Sequence, residues 1–398
     1  MTAATLMLLA SDGTTTTVEQ TEPWRFVRPE ALRSRTAFAA AHVVPRVAGD
    51  NTPGVPAEID WDSTLAYRHH LWSWGLGVAD AMDTAQRNMG LDPAAVRELI
   101  VRSAAEAEGV ARRRGAAVSD VLVVGVGTDH LPDDDLSLEA VVEAYSEQLA
   151  VVEETGAGVV LMASRHLARA ARSAADYARV YREVLERAMS PVILHWLGPA
   201  FDPRLSGYFG SVDTRDAPRA LLDIIAASDR VRGVKMSLLD ADLEIDVRRR
   251  LPDGVRLFTG DDFGYVDLIA GDVGGHSDAL LGAFAAIAPH ASAAIQRLDE
   301  DDVDGYRRIL GPTEVLSRRI FAAPTPFYKT GIAFLSWLNG RQSGFSMVGG
   351  LQSARSLPHL SAIVEAANAC GALEDPELAA ERWHALLAVG GVVRIGRT

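Results

Sequence analysis

Between residues 41 and 295, short runs rich in Val, Ile and Leu alternate with longer Ala/Arg/Glu stretches whose apolar residues recur at helical spacing. This alternation constrains the fold more than any other feature, because parallel strands need a crossover of a dozen or more residues between them. The runs predict strands at His42 to Val47, Leu71 to Leu76, Val121 to Val126, Gly158 to Met162, Val192 to Trp196, Arg232 to Met236, Val255 to Thr259 and Ser277 to Leu281. Segments such as Asp92 to Arg114, Ser137 to Thr155, Ser173 to Met189 and Ala217 to Ser228 are long enough to be crossover helices. Eight such units predict an α/β (β/α)8 TIM barrel over residues 41–295; an open doubly wound sheet would carry a glycine-rich phosphate loop after its first strand, and none stands there. Residues 1–40 read as an N-terminal extension with a hairpin around Ser11-Asp12-Gly13, expected on the barrel exterior. Residues 296–398 read as a C-terminal helical appendage packed on the barrel, with helical patterns at Val303 to Leu310, Thr313 to Ile320, Pro358 to Ala369 and Pro376 to Leu387.

Charge and cysteine usage remove several function classes. With 39 basic against 53 acidic residues the net charge is -14, which repels a phosphate backbone, so no nucleic acid is expected as a partner. The longest apolar stretch, Ala279 to Ala288, is too short to span a bilayer; no membrane partner and a cytoplasmic location are expected. The single cysteine, Cys370, can form neither an internal disulfide nor a cysteine-based zinc site.

Of the 39 basic residues only Lys235 and Lys329 are lysine. Arginine carries charge but does not give up a proton to become a nucleophilic amine, so a lysine that survives in such a composition is a candidate for chemistry. In Arg232-Gly233-Val234-Lys235-Met236-Ser237, period-two alternation puts Gly233 and Lys235 on one face, and the small residue leaves room for the lysine inside the barrel. Burial among apolar walls would lower its pKa and free the amine to attack a carbonyl. The neighbouring strand ends in Ile193-Leu194-His195, and His195 at that end could shuttle protons or, protonated, lower the lysine pKa. Thr128 and Asp129 follow strand three at the same mouth. Thr259-Gly260-Asp261-Asp262 ends strand seven; acids at such a junction most often cap the next helix. The competing reading gathers His69, His70, His130, His195 and His276 with Asp261 or Asp262 around a divalent ion. No H-x-H or H-E-x-x-H spacing supports it, so neither metal nor other cofactor is expected.

Gly233-Val234-Lys235, Pro191 to His195, Leu257 to Asp262, Gly274-Gly275-His276, and Phe321 to Pro326 followed by Lys329 occur in an order and spacing that resemble the dihydrodipicolinate synthase/N-acetylneuraminate lyase superfamily of class I aldolases. The resemblance runs through residues 41 to about 372 and implies a divergent branch. It implies Lys235 as the Schiff-base lysine, a Schiff-base lyase, aldolase or dehydratase acting on a small carbonyl or keto-acid compound, and a homo-oligomer of two or four chains. Two departures stand out. The family's relay tyrosine is replaced by His195, and its paired carboxylate-binding hydroxyls fall near Gly77-Val78-Ala79-Asp80, where no hydroxyl exists; Ser73, Thr84 or Arg87 would have to compensate. The expected site is therefore Lys235 and His195 as catalytic residues, with Ser73, Gly75, Gly77, Thr128, Asp129, Gly260, Asp261 and His276 around the substrate, and Lys329 outside it. A metal-dependent barrel hydrolase or isomerase, and a barrel acting only as a binding scaffold, are the alternatives.

Overall fold

The computed structural model describes residues 5–132, 134–213 and 216–392. The first two strands, β1 (Thr5–Leu9) and β2 (Thr15–Glu19), pair antiparallel across the expected turn, where Asp12 accepts a hydrogen bond from the Thr14 backbone at 2.9 Å and Gly13 takes φ +84°. The hairpin lies against the C-terminal helices, not on the barrel strands. The Leu9 N–H donates to Ser361 Oγ at 2.7 Å, and the Trp383 indole donates to the Met7 carbonyl at 2.7 Å.

Eight parallel strands close the expected TIM barrel: β3 (Ala37–Ala40), β4 (Gly77–Asp80), β5 (Leu122–Val126), β6 (Gly158–Leu161), β7 (Val192–Leu197), β8 (Val231–Ser237), β9 (Arg256–Thr259) and β10 (Asp278–Leu281), with β10 returning to β3. From β5 to β10 each strand begins and ends within one residue of its predicted run. The first two differ. β3 lies ahead of His42 to Val47, inside the stretch expected to be an extension, and the predicted run is instead an irregular segment whose Pro45 makes an isolated antiparallel bridge to Ile59. Proline cannot donate to a ladder, which keeps this run out of the barrel. In Leu71 to Leu76, the first three residues form the last turn of the helix Trp61–Ser73, capped at its start by Asp60 and followed by Gly75 at φ +78°.

β4 carries an aspartate at its end, and the structure explains how a strand tolerates it. Asp80 and Arg68, both fully buried, form a two-pronged pair with contacts of 2.8 and 2.7 Å, while Arg68 also donates to the His42 and Thr64 carbonyls at 2.8 Å each. The pair fastens the helix Trp61–Ser73 to the end of β4. Inside the barrel, Phe38, Val123, Val160, Met162, Phe258 and Leu280 belong to one buried apolar cluster. Two glycines make room for the rings: a Cβ on Gly77 would lie 2.4 Å from Phe38, and one on Gly233 would lie 2.7 Å from Phe258. His195 is in register with Lys235, and Lys235 with Phe258, so all three face the lumen.

Breaking the buried pair strands a charge. Asp80→Asn should cost about 3–5 kcal/mol in denaturant unfolding, whereas the double change Arg68→Met/Asp80→Leu should cost less than Asp80→Asn alone. A double variant less stable than the single one would contradict this account of the pair.

Candidate active site

Lys235 lies near the C-terminal end of β8 and is only 7% exposed. Among the described residues no hydrogen bond or ion pair holds its Nζ. Burial lowers its pKa, opposed by the charges of Asp83 and Asp262. The adjacent strand end must be glycine: a Cβ on Gly260 would come within 2.2 Å of Ser237 Oγ and 2.9 Å of Lys235 Cε. Two residues on, Asp262 is buried, accepts a hydrogen bond from the Ala283 N–H at 3.0 Å, and has its carboxyl pushed up to about 7, mainly by burial. A depressed amine and an elevated carboxyl thus act on each other's charge in a buried site, which draws their proton affinities together. Asp261 accepts from the Phe263 and Gly264 N–H groups at 2.8 and 3.1 Å, a turn ahead of the next helix, Tyr265–Ala270; that helix starts from Gly264 with no side-chain cap, so the helix capping expected of these acids is not formed. Asp262 was legible in principle, since Phe258, Gly260 and Asp262 alternate onto the lysine's face.

His195 is fully buried, with Nε2 at 3.1 Å from Ser237 Oγ and Nδ1 lacking a partner among the described residues. Burial, and then the Lys235 charge, hold its pKa well below the usual value. It is therefore neutral near pH 7, and the expectation that a protonated His195 lowers the lysine pKa is reversed: the lysine acts on the histidine.

Because β4 ends at Asp80, the loop after strand two is residues 81–86, not Gly77 to Asp80, and it presents Asp83 and Thr84. Thr84 Oγ1 lies 2.8 Å from the Tyr328 hydroxyl. Tyr328 opens the helix Tyr328–Leu338 of the C-terminal region and stacks on Phe321 at 4.4 Å, with Phe201 edge-on. The next residue is Lys329, 4% exposed, with Nζ 4.5 Å from the Tyr328 ring centre and donating to the Pro326 carbonyl at 3.2 Å. Burial lowers its pKa to about 8; Asp83 and Asp202 favour its charge and Arg165 opposes it. Asp83 acts on both lysines. The lysine expected outside the site thus stands at the same barrel mouth, and the scarcity of lysine was the signal for it.

A cleft beside them is lined by Asp83, Thr128, Asp129, Ser164, Arg165 and Asp202, among others. Thr128 bonds Ser164 Oγ at 2.7 Å and His166 Nδ1 at 2.8 Å, and Asp129 pairs with Arg87 at 2.7 Å. Four expected residues lie elsewhere. Ser73 ends a helix and donates to the His70 carbonyl at 2.7 Å; Gly75 and Gly77 precede or begin β4; His276 precedes β10. All four sit toward the N-terminal ends of the strands, opposite Lys235. A cavity of about 660 Å³ also opens there, against Gly75 and Gly77, but Lys235, Asp262 and His195 are absent from its lining, and barrel chemistry gathers at the other end. The histidines of the metal reading are dispersed, His69 pairing with Glu106 at 2.8 Å and His130 with Glu147 at 3.0 Å. Among the described residues no group of three or more His, Cys, Asp or Glu side chains could hold a metal ion, and no helix is long and apolar enough to cross a membrane.

A family model described as "Protein of unknown function (DUF993)" matches residues 6–392. Solved dihydrodipicolinate synthases share the fold. That of Thermotoga maritima is 15% identical with a TM-score of 0.63, covering 86% of this chain and 100% of its own. That of Bacteroides thetaiotaomicron is 14% identical with a TM-score of 0.61, covering 83% and 97%, and that of Aquifex aeolicus is 12% identical at 0.57, covering 90% and 98%. At such identities the likeness is one of fold, and it matches the resemblance read from the strand-end motifs. Comparison with curated proteins found no match.

With two lysines in the chain, protein labelled at lysine Cε gives two assignable carbon resonances. Lys329 should titrate with a midpoint near 8 and Lys235 below the ordinary 10.5. Midpoints at or above 10.5 for both would contradict the burial described here.

Proposed function

This chain belongs to the DUF993 family, and on that footing we propose that it is a Schiff-base enzyme of the lyase, aldolase or dehydratase kind, acting on a small carbonyl compound through Lys235. One observation carries the reading: a lysine amine is buried near the end of a barrel strand, free of direct bonding among the described residues, and the charge of the buried Asp262 carboxyl acts on it. The neutral Nζ attacks the carbonyl carbon, the carbonyl oxygen takes a proton, and the nitrogen loses one, giving a carbinolamine. A second proton on its hydroxyl releases water and leaves an iminium. That iminium accepts the electron pair left when the α proton is removed or the bond to the β carbon breaks.

Asp262 is suited to these transfers, accepting the amine proton when ionised and returning it to the departing hydroxyl. The hydroxyl pair of Thr84 and Tyr328 offers a second proton path at the same mouth. His195, neutral and bonded to Ser237, is assigned the smaller part of orienting that hydroxyl beside the amine.

Reduction with borohydride in the presence of a panel of small aldehydes and keto acids should add mass to the Lys235 peptide, and Lys235→Arg should abolish the adduct. Asp262→Asn should slow trapping by roughly 10²- to 10⁴-fold, with His195→Phe slower by less. Since burial raises Asp262, its basic form is lost as pH falls through about 7. Wild-type trapping should therefore show an acid limb near pH 7 that Asp262→Asn lacks. No adduct on Lys235 with any member of the panel would overturn the proposal.

A further inference from the structure

At the N-terminal end of the barrel, where the strands begin, a depression of about 520 Å³ runs inward to the lumen. Its floor is apolar. Phe38, Val123 and Phe258 line it and belong to the buried cluster that fills the lumen. Ile193, two residues before His195 on β7, faces the lumen and packs against that cluster, yet it is only half-buried. In a closed eight-stranded barrel the lumen side chains ordinarily cover one another. The surface that Ile193 keeps open therefore marks a place where the filling stops short of the barrel's end.

Two arginines stand at the edge of this depression, and their surroundings differ. Arg256 is engaged: its Nε pairs with Asp278 at 2.6 Å and its Nη1 donates to Thr36 Oγ1 at 2.8 Å. Arg232 donates through Nη1 to the Asp229 and Val231 carbonyls at 2.7 and 3.4 Å, and among the described residues no carboxylate pairs with it. The one acid in the lining, Asp120, is exposed and accepts from the Ala117 N–H at 2.9 Å. An apolar floor with a few polar groups at its edge, in this range of volume, is the composition of a small-molecule pocket. The occupant has to be small, because the end of an eight-stranded barrel is too narrow for a helix about 10–12 Å across. A planar carboxylate matches the free side of a guanidinium fork, and an apolar body is what the open surface of Ile193 and the two rings would gain from covering.

We propose that this depression binds a small monocarboxylate with an apolar body, an aromatic or aliphatic acid, its carboxylate on Arg232 and its body on Ile193, Phe38 and Phe258. Lys235 is absent from the lining, so the inference holds whether or not that lysine forms an imine.

The test uses the full chain labelled at isoleucine methyl groups, with the Ile193 signal assigned through Ile193→Val. Carboxylates from acetate to hexanoate, benzoate, and the neutral amides of hexanoate and benzoate are titrated in. The Ile193 methyl should shift saturably, and each added methylene should tighten binding roughly two- to fourfold. Hexanoate and benzoate should bind roughly tenfold or more tighter than their amides, the size expected of a hydrogen bond to a charged group. Arg232 is exposed, so Arg232→Met should leave the fold intact while bringing each acid down to the affinity of its amide. Arg230→Met, at an exposed neighbour outside the lining, should change nothing. An Ile193 methyl that no member of the series moves, acids bound no tighter than their amides, or unchanged acid affinity in Arg232→Met would each overturn the inference.

Discussion

The interior of a closed eight-stranded barrel is only wide enough for side chains to fill it, and this limit governs the whole molecule. Phe38 and Phe258 plug the lumen because Gly77 and Gly233 leave space for their rings, and Lys235 occupies the next layer because Gly260 leaves space for its chain. A tightly filled lumen excludes water. The amine above it therefore loses part of its preference for the charged form, and the nearby carboxyl of Asp262 gains a preference for the neutral one.

The same dryness decides which groups can move protons. His195 stands next to Lys235 in the strand register, the position the sequence marks for a relay, yet complete burial beside an ammonium keeps it neutral. Asp262, equally buried, is driven toward neutrality from the other side and ends near the working pH. The C-terminal helices are part of this environment. The Thr84–Tyr328 hydrogen bond ties the loop after strand two to the helix Tyr328–Leu338, and that helix brings the second lysine to the mouth.

What the sequence made legible follows from the same physics. Strands β5 to β7 stood out because β-branched and leucine side chains dominate them, whereas β3 is Ala-Phe-Ala-Ala and β4 is Gly-Val-Ala-Asp, compositions that carry little strand signal. Misplacing β4 by a few residues turned the start of a strand into its end, which drew Ser73, Gly75 and Gly77 into the expected site although they lie at the opposite end of the barrel. His276 was displaced in the same direction, since it precedes β10 and does not follow it. Lys235 and His195 were readable because alternation along a correctly located strand fixes the face of each. Asp262 obeyed that alternation but was obscured by the capping preference of aspartate, although neither acid caps the helix Tyr265–Ala270. Lys329 could not be placed by periodicity at all, because its position depends on how a distant helix packs.

On the proposed reading, a carbonyl compound becomes joined to the amine of Lys235 at the mouth of the barrel. A crystal structure of the protein reduced with borohydride in the presence of a trapping carbonyl tests it most directly. Electron density should run continuous from Lys235 Nζ, with the Asp262 carboxyl within hydrogen-bond distance of the new nitrogen substituent. Density continuous from Lys329 Nζ, with Lys235 left unmodified, would contradict it.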